Sequence, residues 1–203
     1  MKDFYKTLSK PSSGILKDRG SRFLSFAFPI KDRADIKSHL NSLQTKFHDA
    51  RHHCYAYVLD EEVRANDDGE PNHSAGDSIL RSITSRELDR VLVVVIRYFG
   101  GTKLGIRGLI NAYHGAANAA LEDSEIITIS IVLHFNLTFS YDKTNDIMQL
   151  MDRYQAVIVE QSFKEVCKIN GEVPVKLTME FKNRLKELLA QKILLSFDIS
   201  STE

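Results

Sequence analysis

The sequence predicts an α+β protein of two domains. Two observations carry that reading. An unbroken β-branched run, RVLVVVIRYF at 90–99, leads directly into an alanine-rich helical run that ends at Leu121. Past Glu122 the texture changes, and the periodicities fall in the order βαββαβ. A chain of 203 residues has room for two cores, since domains commonly hold ~100–150 residues. The domains are placed at 1–127 and 128–203.

The elements follow in order along the chain. At 14–30, Phe23, Ser25 and Ala27 alternate with Leu24, Phe26 and Phe28, giving two short strands around the turn-forming pair Arg19-Gly20. Asp32 is positioned to cap a helix reaching about Phe47, because Ile36, Leu40, Leu43 and Phe47 recur at helical spacing. HHCYAYVLD, from His52, reads as a strand. The polar loop DDGEPNHSAG then leads to a helix at 75–86, with Ser74 as its cap. The run at 90–99 is the pattern of a strand buried on both faces. The helix at 105–121 is lined by Ala112, Ala116, Ala117, Ala119 and Ala120, small enough to pack closely on a sheet. In the second domain the expected elements are a strand at 131–139, a helix at 142–154, strands at 156–163 and 173–181, a helix at 183–192 and a strand at 193–199. Their order is that of the ferredoxin-like fold.

Lys plus Arg equals Asp plus Glu at 27 each, so no global field steers this chain onto nucleic acid or an anionic membrane, and any such partner must read a local patch. The N-terminus, MKDFYKTLSK, is charged where a secretory signal is apolar. No run approaches the ~20 apolar residues of a membrane span. The expectation is a cytoplasmic protein with no membrane partner. Cys54 and Cys167 fall in different domains and are expected as reduced thiols.

The one clearly positive segment lies between Arg90 and Leu121, which contains no acidic residue. Within it, RYFGGTKLGIRG places four glycines at a strand-to-helix junction, where free backbone N–H groups and the helix dipole favour an anion. The candidate ligands for phosphate or an RNA backbone are Arg97, Gly100, Gly101, Lys103, Gly105 and Arg107. The spacing matches neither the P-loop nor the dinucleotide fingerprint. The competing use of these residues is architectural, with glycines at sharp turns and Arg97 paired to a carboxylate.

The acidic loop gathers Asp67, Asp68 and Glu70 within four positions. Clustered carboxylates can hold a divalent cation or activate water, and a hydrolase of that kind would use Asp67, Asp68 and Glu70 with His53. A turn at Asp68-Gly69 and pairing of one or two of the carboxylates with Arg97 or Arg51 is the simpler use. Strand alternation sends His52 and Cys54 to one face and His53 to the other, which opposes a shared metal. No catalytic residue, metal or cofactor is assigned.

Taken together, GSRFLSFAFPI, ARHHCYAYVL, DDGEPNHSAGDSIL and VLVVVIRYFGGTKLGIRGLINAY resemble the IMPACT family, and the two-domain layout resembles its bacterial YigZ branch. The resemblance implies a first domain like the second domain of ribosomal protein S-five and a ferredoxin-like second domain, a pair similar to domains IV and V of elongation factor G. It implies contact with RNA or the ribosome, while the eukaryotic relatives resemble regulators of translation that bind a protein partner. Where the family has Ser-Gly-Thr-Ala-Gly after Glu70-Pro71, this chain has Asn72, His73, Ser74, Ala75 and Gly76. Where the family has Ala-Gly-Gly in the second loop, this chain has Ile106, Arg107 and Gly108.

The expected function is therefore a non-catalytic, cytoplasmic regulator of the translation type that binds RNA or a ribosome-associated partner through the basic glycine-rich loop. The alternatives are a protein-interaction module without nucleic-acid contact and a hydrolase using the acidic loop. The sequence leaves the partner's identity, the oligomeric state and the relative motion of the domains open.

Overall fold

The computed structural model describes residues 2–201. The chain forms two compact units, one of Tyr5–Ile129 and one of Ser130 onward together with the N-terminal residues up to Phe4. It is an α+β architecture of antiparallel sheets and helices.

The first unit is built on a five-stranded antiparallel sheet. Its strands are β2 (Ser12–Asp18), β3 (Ser21–Pro29), β4 (His52–Leu59), β5 (Glu62–Asn66) and β6 (Val91–Tyr98), arranged in the order β2-β3-β6-β4-β5. The helices are α1 (Arg33–Lys46), α2 (Gly76–Thr84) and α3 (Gly105–Glu122). A separate two-stranded ribbon pairs β1 (Phe4–Leu8) with β7 (Ile126–Ser130).

β6 lies at the centre of the sheet, as its apolar run dictates. Val91, Val93 and Val95 join a core with residues of α2 and α3, while Leu92, Val94 and Ile96 join a second core with Ile36 and Leu43 of α1. All six are fully buried, so each face of the strand contributes to a different core. Alanines give α3 its close seat on the sheet, where Ser12 Oγ on β2 donates to the Ala120 carbonyl at 2.7 Å. Asp32 caps α1 as expected, its Oδ1 accepting from the backbone N of Ala34 at 2.8 Å and of Asp35 at 2.9 Å. Such a cap contributes about 1 kcal/mol.

The second unit runs β8 (Val132–Ser140), α4 (Thr144–Arg153), β9 (Val157–Ser162), β10 (Val166–Pro174), α5 (Thr178–Ala190) and β11 (Leu194–Ser201). Its antiparallel sheet has the order β11-β8-β10-β9. One face is covered by a core that includes Phe135, Leu137 and Phe139 of β8 and Phe181 and Leu185 of α5.

Four features differ from the sequence-based expectation. The strand expected at 173–181 is instead β10, which ends at Pro174, and α5 begins at Thr178. Val173, Val175, Leu177, Met179 and Phe181 alternate like a strand, but Pro174 lacks a ladder donor. The apolar positions Phe181, Leu185 and Leu188 also repeat at helical spacing and are buried, while Met179 is left in solvent. The other three differences are strands without a strong local signal. β1 and β7 are short and pair with each other from opposite ends of the unit's sequence, with one further bridge from Lys6 of β1 to Leu88. β5 is a charged edge strand reached through a turn in which Asp60 adopts φ 55°.

Both cysteines are fully buried. Loss of solvation pushes the Cys54 thiol far above its ordinary range, against the opposing hydrogen bond with Tyr113. The folded protein is therefore expected to resist a thiol reagent such as Ellman's at mildly alkaline pH and to release both thiols only in denaturant. Rapid labelling of Cys54 in the native state would contradict this packing.

Candidate functional site

The acidic loop and the glycine-rich loop lie in the same unit, and a buried ion pair joins the segments that carry them. Glu70 Oε1 accepts from Arg97 Nη1 at 2.6 Å, and the two side chains are only 4% and 7% exposed. The same oxygen accepts from the Tyr113 hydroxyl at 2.8 Å. The Arg97 guanidinium lies 5.5 Å from the ring centroids of both Phe23 and Phe99, and its Nε is buried without a hydrogen-bond partner. Tyr113 packs edge-on against Phe23 at 5.2 Å and receives a hydrogen bond from the Cys54 thiol at 3.4 Å. Sequence reasoning assigns no role to Tyr113. The signal available for it is its place as the one tyrosine of a helix whose buried face is lined by Ala112, Ala116, Ala117 and Ala120.

The three acidic residues go to three different places. Asp67 organises the entry to α2: its Oδ1 accepts from the backbone N of Ala75 and Gly76, and its Oδ2 from His73 N, each at 2.8 Å. It does the work expected of Ser74, whose hydroxyl instead donates to the Pro71 carbonyl at 2.5 Å. The correction has a simple cause, since a carboxylate eight residues upstream reaches the helix N-terminus across a loop that propensity rules do not see. Asp68 Oδ2 accepts from His53 N at 2.6 Å, and the Asp68 carbonyl accepts from His52 Nδ1 at 2.8 Å. Glu70 belongs to Arg97. Among the described residues no group of three or more His, Cys, Asp or Glu side chains is placed to hold a metal, and the three-carboxylate arrangement that a hydrolase would use is not assembled.

His73 keeps a left-handed backbone with φ 63°. Its Nδ1 lies 2.7 Å from Asp77 Oδ2.

The glycine-rich loop links β6 to α3. Gly100 meets the turn between β2 and β3 so closely that an added Cβ would fall 1.9 Å from the Gly20 carbonyl carbon. Its N–H donates to Ser21 Oγ at 3.1 Å. Gly101 and Gly105 have φ of 88° and 70°, which L side chains rarely adopt. Of the six residues expected to contact phosphate, Arg97 is turned inward, whereas Gly100, Gly101, Lys103, Gly105 and Arg107 are exposed. Exposed Phe99 and Ile106 flank the two cations. Neither Lys103 nor Arg107 makes an ion pair with a described residue. The first turn of α3 contains no acidic residue and has no side-chain cap.

Burial works to raise the pKa of Asp67, but the donated hydrogen bonds of Gly76, Ala75 and His73 outweigh it and hold the carboxyl below its ordinary value. A depressed folded pKa means the stabilisation is complete above the unfolded value of ~3.9 and is lost as pH falls through the folded value. Asp67→Asn is therefore expected to destabilise the protein by about 1–3 kcal/mol at neutral pH. In urea unfolding, that gap from the parent should close as the medium is acidified. A gap that stays constant into the acid range would contradict the role given to this carboxylate.

The site falls within the part of the chain most widely shared with known proteins. A model of the Impact N-terminal domain matches residues 19–121, half of the chain. The chain is 26% identical over 182 residues to the IMPACT family member YigZ of Escherichia coli strain K12, covering 87% of this chain and 89% of that protein. It is 29% identical over 187 residues to the IMPACT family member YvyE of Bacillus subtilis strain 168, covering 91% and 86%. A crystal structure described as that of a hypothetical protein superposes with a TM-score of 0.68 at 24% identity, covering 100% of this chain and 99% of that one, which establishes a shared fold. With its N-terminal domain matched and its full-length bacterial relatives spanning both units, the chain belongs to the IMPACT family, in a YigZ-like branch.

Proposed function

We propose that this protein is a non-catalytic regulator of the translation type, working in the cytoplasm, that binds RNA through the loop and first turn at 99–107. The observation that carries the reading is the pair of exposed cations, Lys103 and Arg107, which have no carboxylate partner among the described residues and stand at an uncapped helix N-terminus. A phosphate placed there would meet backbone N–H groups, the positive end of the α3 dipole and two cationic side chains. Exposed Phe99 offers a ring on which a base can stack. Arg97 contributes from beneath by fixing the strand end from which the loop departs. The inferred domain types are S-five-like for the first unit and ferredoxin-like for the second. The order β11-β8-β10-β9 supports the latter.

A second reading, a protein-interaction module, has an observation of its own. Val157 and Val159 on the edge strand β9 are more than half exposed, and Val166 on β10 is also open to solvent. An exposed apolar edge suits a protein partner.

Titrating labelled mixed-sequence RNA and ribosomal subunits at several salt concentrations separates the two readings. RNA binding through the loop predicts affinity that falls as salt rises. The Lys103→Ala/Arg107→Ala variant should bind more weakly, with a salt slope reduced by about one for each phosphate left without its cation. Binding that ignores salt, or a slope unchanged in the variant, would overturn the RNA assignment.

A further inference from the structure

The face of the five-stranded sheet opposite α2 and α3 carries a cleft of about 480 Å³ between α1, β4 and β5. That volume lies within the usual range for small-molecule sites, about 300–1,000 Å³. Cross-strand register places Arg64 opposite Tyr57 and Asn66 opposite Tyr55, so the polar residues of β5 share this face with the aromatic residues of β4.

The charges in the cleft are unevenly spent. Glu62 is fully engaged, accepting from Arg33 Nε at 2.8 Å and from the Tyr57 hydroxyl at 2.5 Å. The Tyr57 hydrogen bond, followed by that of Arg33, holds the Glu62 carboxyl below its ordinary range. Lys37 on α1 and Arg64 on β5 form no salt bridge with a described residue, Arg64 acting on Glu62 only through the longer-range field, and both cations line the cleft.

His53 supplies a reporter in the wall of the cleft. Its side chain is only 9% exposed, it lines the cleft, and its Nε2 is buried without a hydrogen-bond partner. Nδ1 lies 3.9 Å from Asp68 Oδ2.

We infer that this cleft is a binding site for a phosphomonoester of about nucleotide size, with its phosphate held between Lys37 and Arg64 and the rest of the ligand lying along the wall to which His53 contributes. The half-buried ring of Tyr55 and the amide of Asn66 provide a surface for the ligand's planar or hydroxyl-bearing part. Nothing in this assignment depends on RNA binding at the glycine-rich loop.

The test is a titration of the full chain with adenosine 5′-monophosphate and with ribose 5-phosphate. It is followed through the imidazole Cε1–H resonance of His53 by NMR, that signal being assigned by its loss in His53→Gln. Saturable movement of the resonance is expected with at least one of the two. Adenosine and inorganic phosphate, each lacking part of the ligand, should bind about tenfold more weakly or worse. Lys37→Ala/Arg64→Ala, at two exposed positions, should keep the fold and lose about tenfold or more in affinity. No movement of the His53 resonance with either monoester up to about 10 mM, well above a millimolar Kd, would overturn the site. So would affinity unchanged in the double variant, or equal affinity for inorganic phosphate or adenosine alone.

Discussion

The first unit depends on one buried ion pair, Glu70 with Arg97. Arg97 sits near the end of the central strand β6, in register with Phe23 of β3 on one side and His52 of β4 on the other. Glu70 reaches it from the loop between β5 and α2, and Tyr113 reaches the same carboxylate from α3. The central strand, a loop and a helix thus meet at one pair of charges. Neither partner can leave without stranding the other in a low-dielectric interior, and breaking such a pair by removing one member typically costs about 3–5 kcal/mol. The acidic motif at 67–71 and the glycine motif that follows Arg97 are therefore parts of one structure.

That pair also explains how the two loops divide their labour. The acidic loop turns its charges inward or onto backbone: Asp67 onto the start of α2, Asp68 onto β4 and Glu70 onto Arg97. The glycine loop keeps its remaining cations outward. Its glycines serve the bend itself, through close backbone approach at Gly100 and left-handed dihedrals at Gly101 and Gly105, and the same bend presents Lys103 and Arg107 to solvent. Architecture and anion affinity are thus successive consequences of one turn. The opposite face of the sheet, covered by α1, has its own unspent cations and an unpaired histidine nitrogen.

Much of this is legible in the sequence, and the exceptions share a cause. β6, α1 and α3 carry strong local signals, namely an unbroken apolar run, an Asp cap with helical periodicity, and an alanine-lined face. The pairing of Arg97 with a carboxylate of the acidic loop can be anticipated, because a cation in an apolar strand needs a counter-charge. What escapes is set by distant partners. β1 and β7 become strands by pairing with partners far along the chain, Asp67 caps a helix from eight positions away, and Tyr113 gains its role from Glu70. At 173–181 two periods overlap, and burial of Phe181 and Leu185 decides for the helix. The cleft beside α1 is hidden for the same reason, since Lys37, His53 and Arg64 come together only through the packing of α1 and the hairpin of β4 and β5 on the same face.

The most direct test of this account is a double-mutant cycle on Glu70→Gln and Arg97→Met, read as unfolding free energy in urea. If the pair is the joint on which the unit depends, each single substitution should cost about 3–5 kcal/mol, and the double should cost clearly less than their sum because it strands no charge. Additive losses, or single losses below about 1 kcal/mol, would show that the loops and the central strand are held by other contacts.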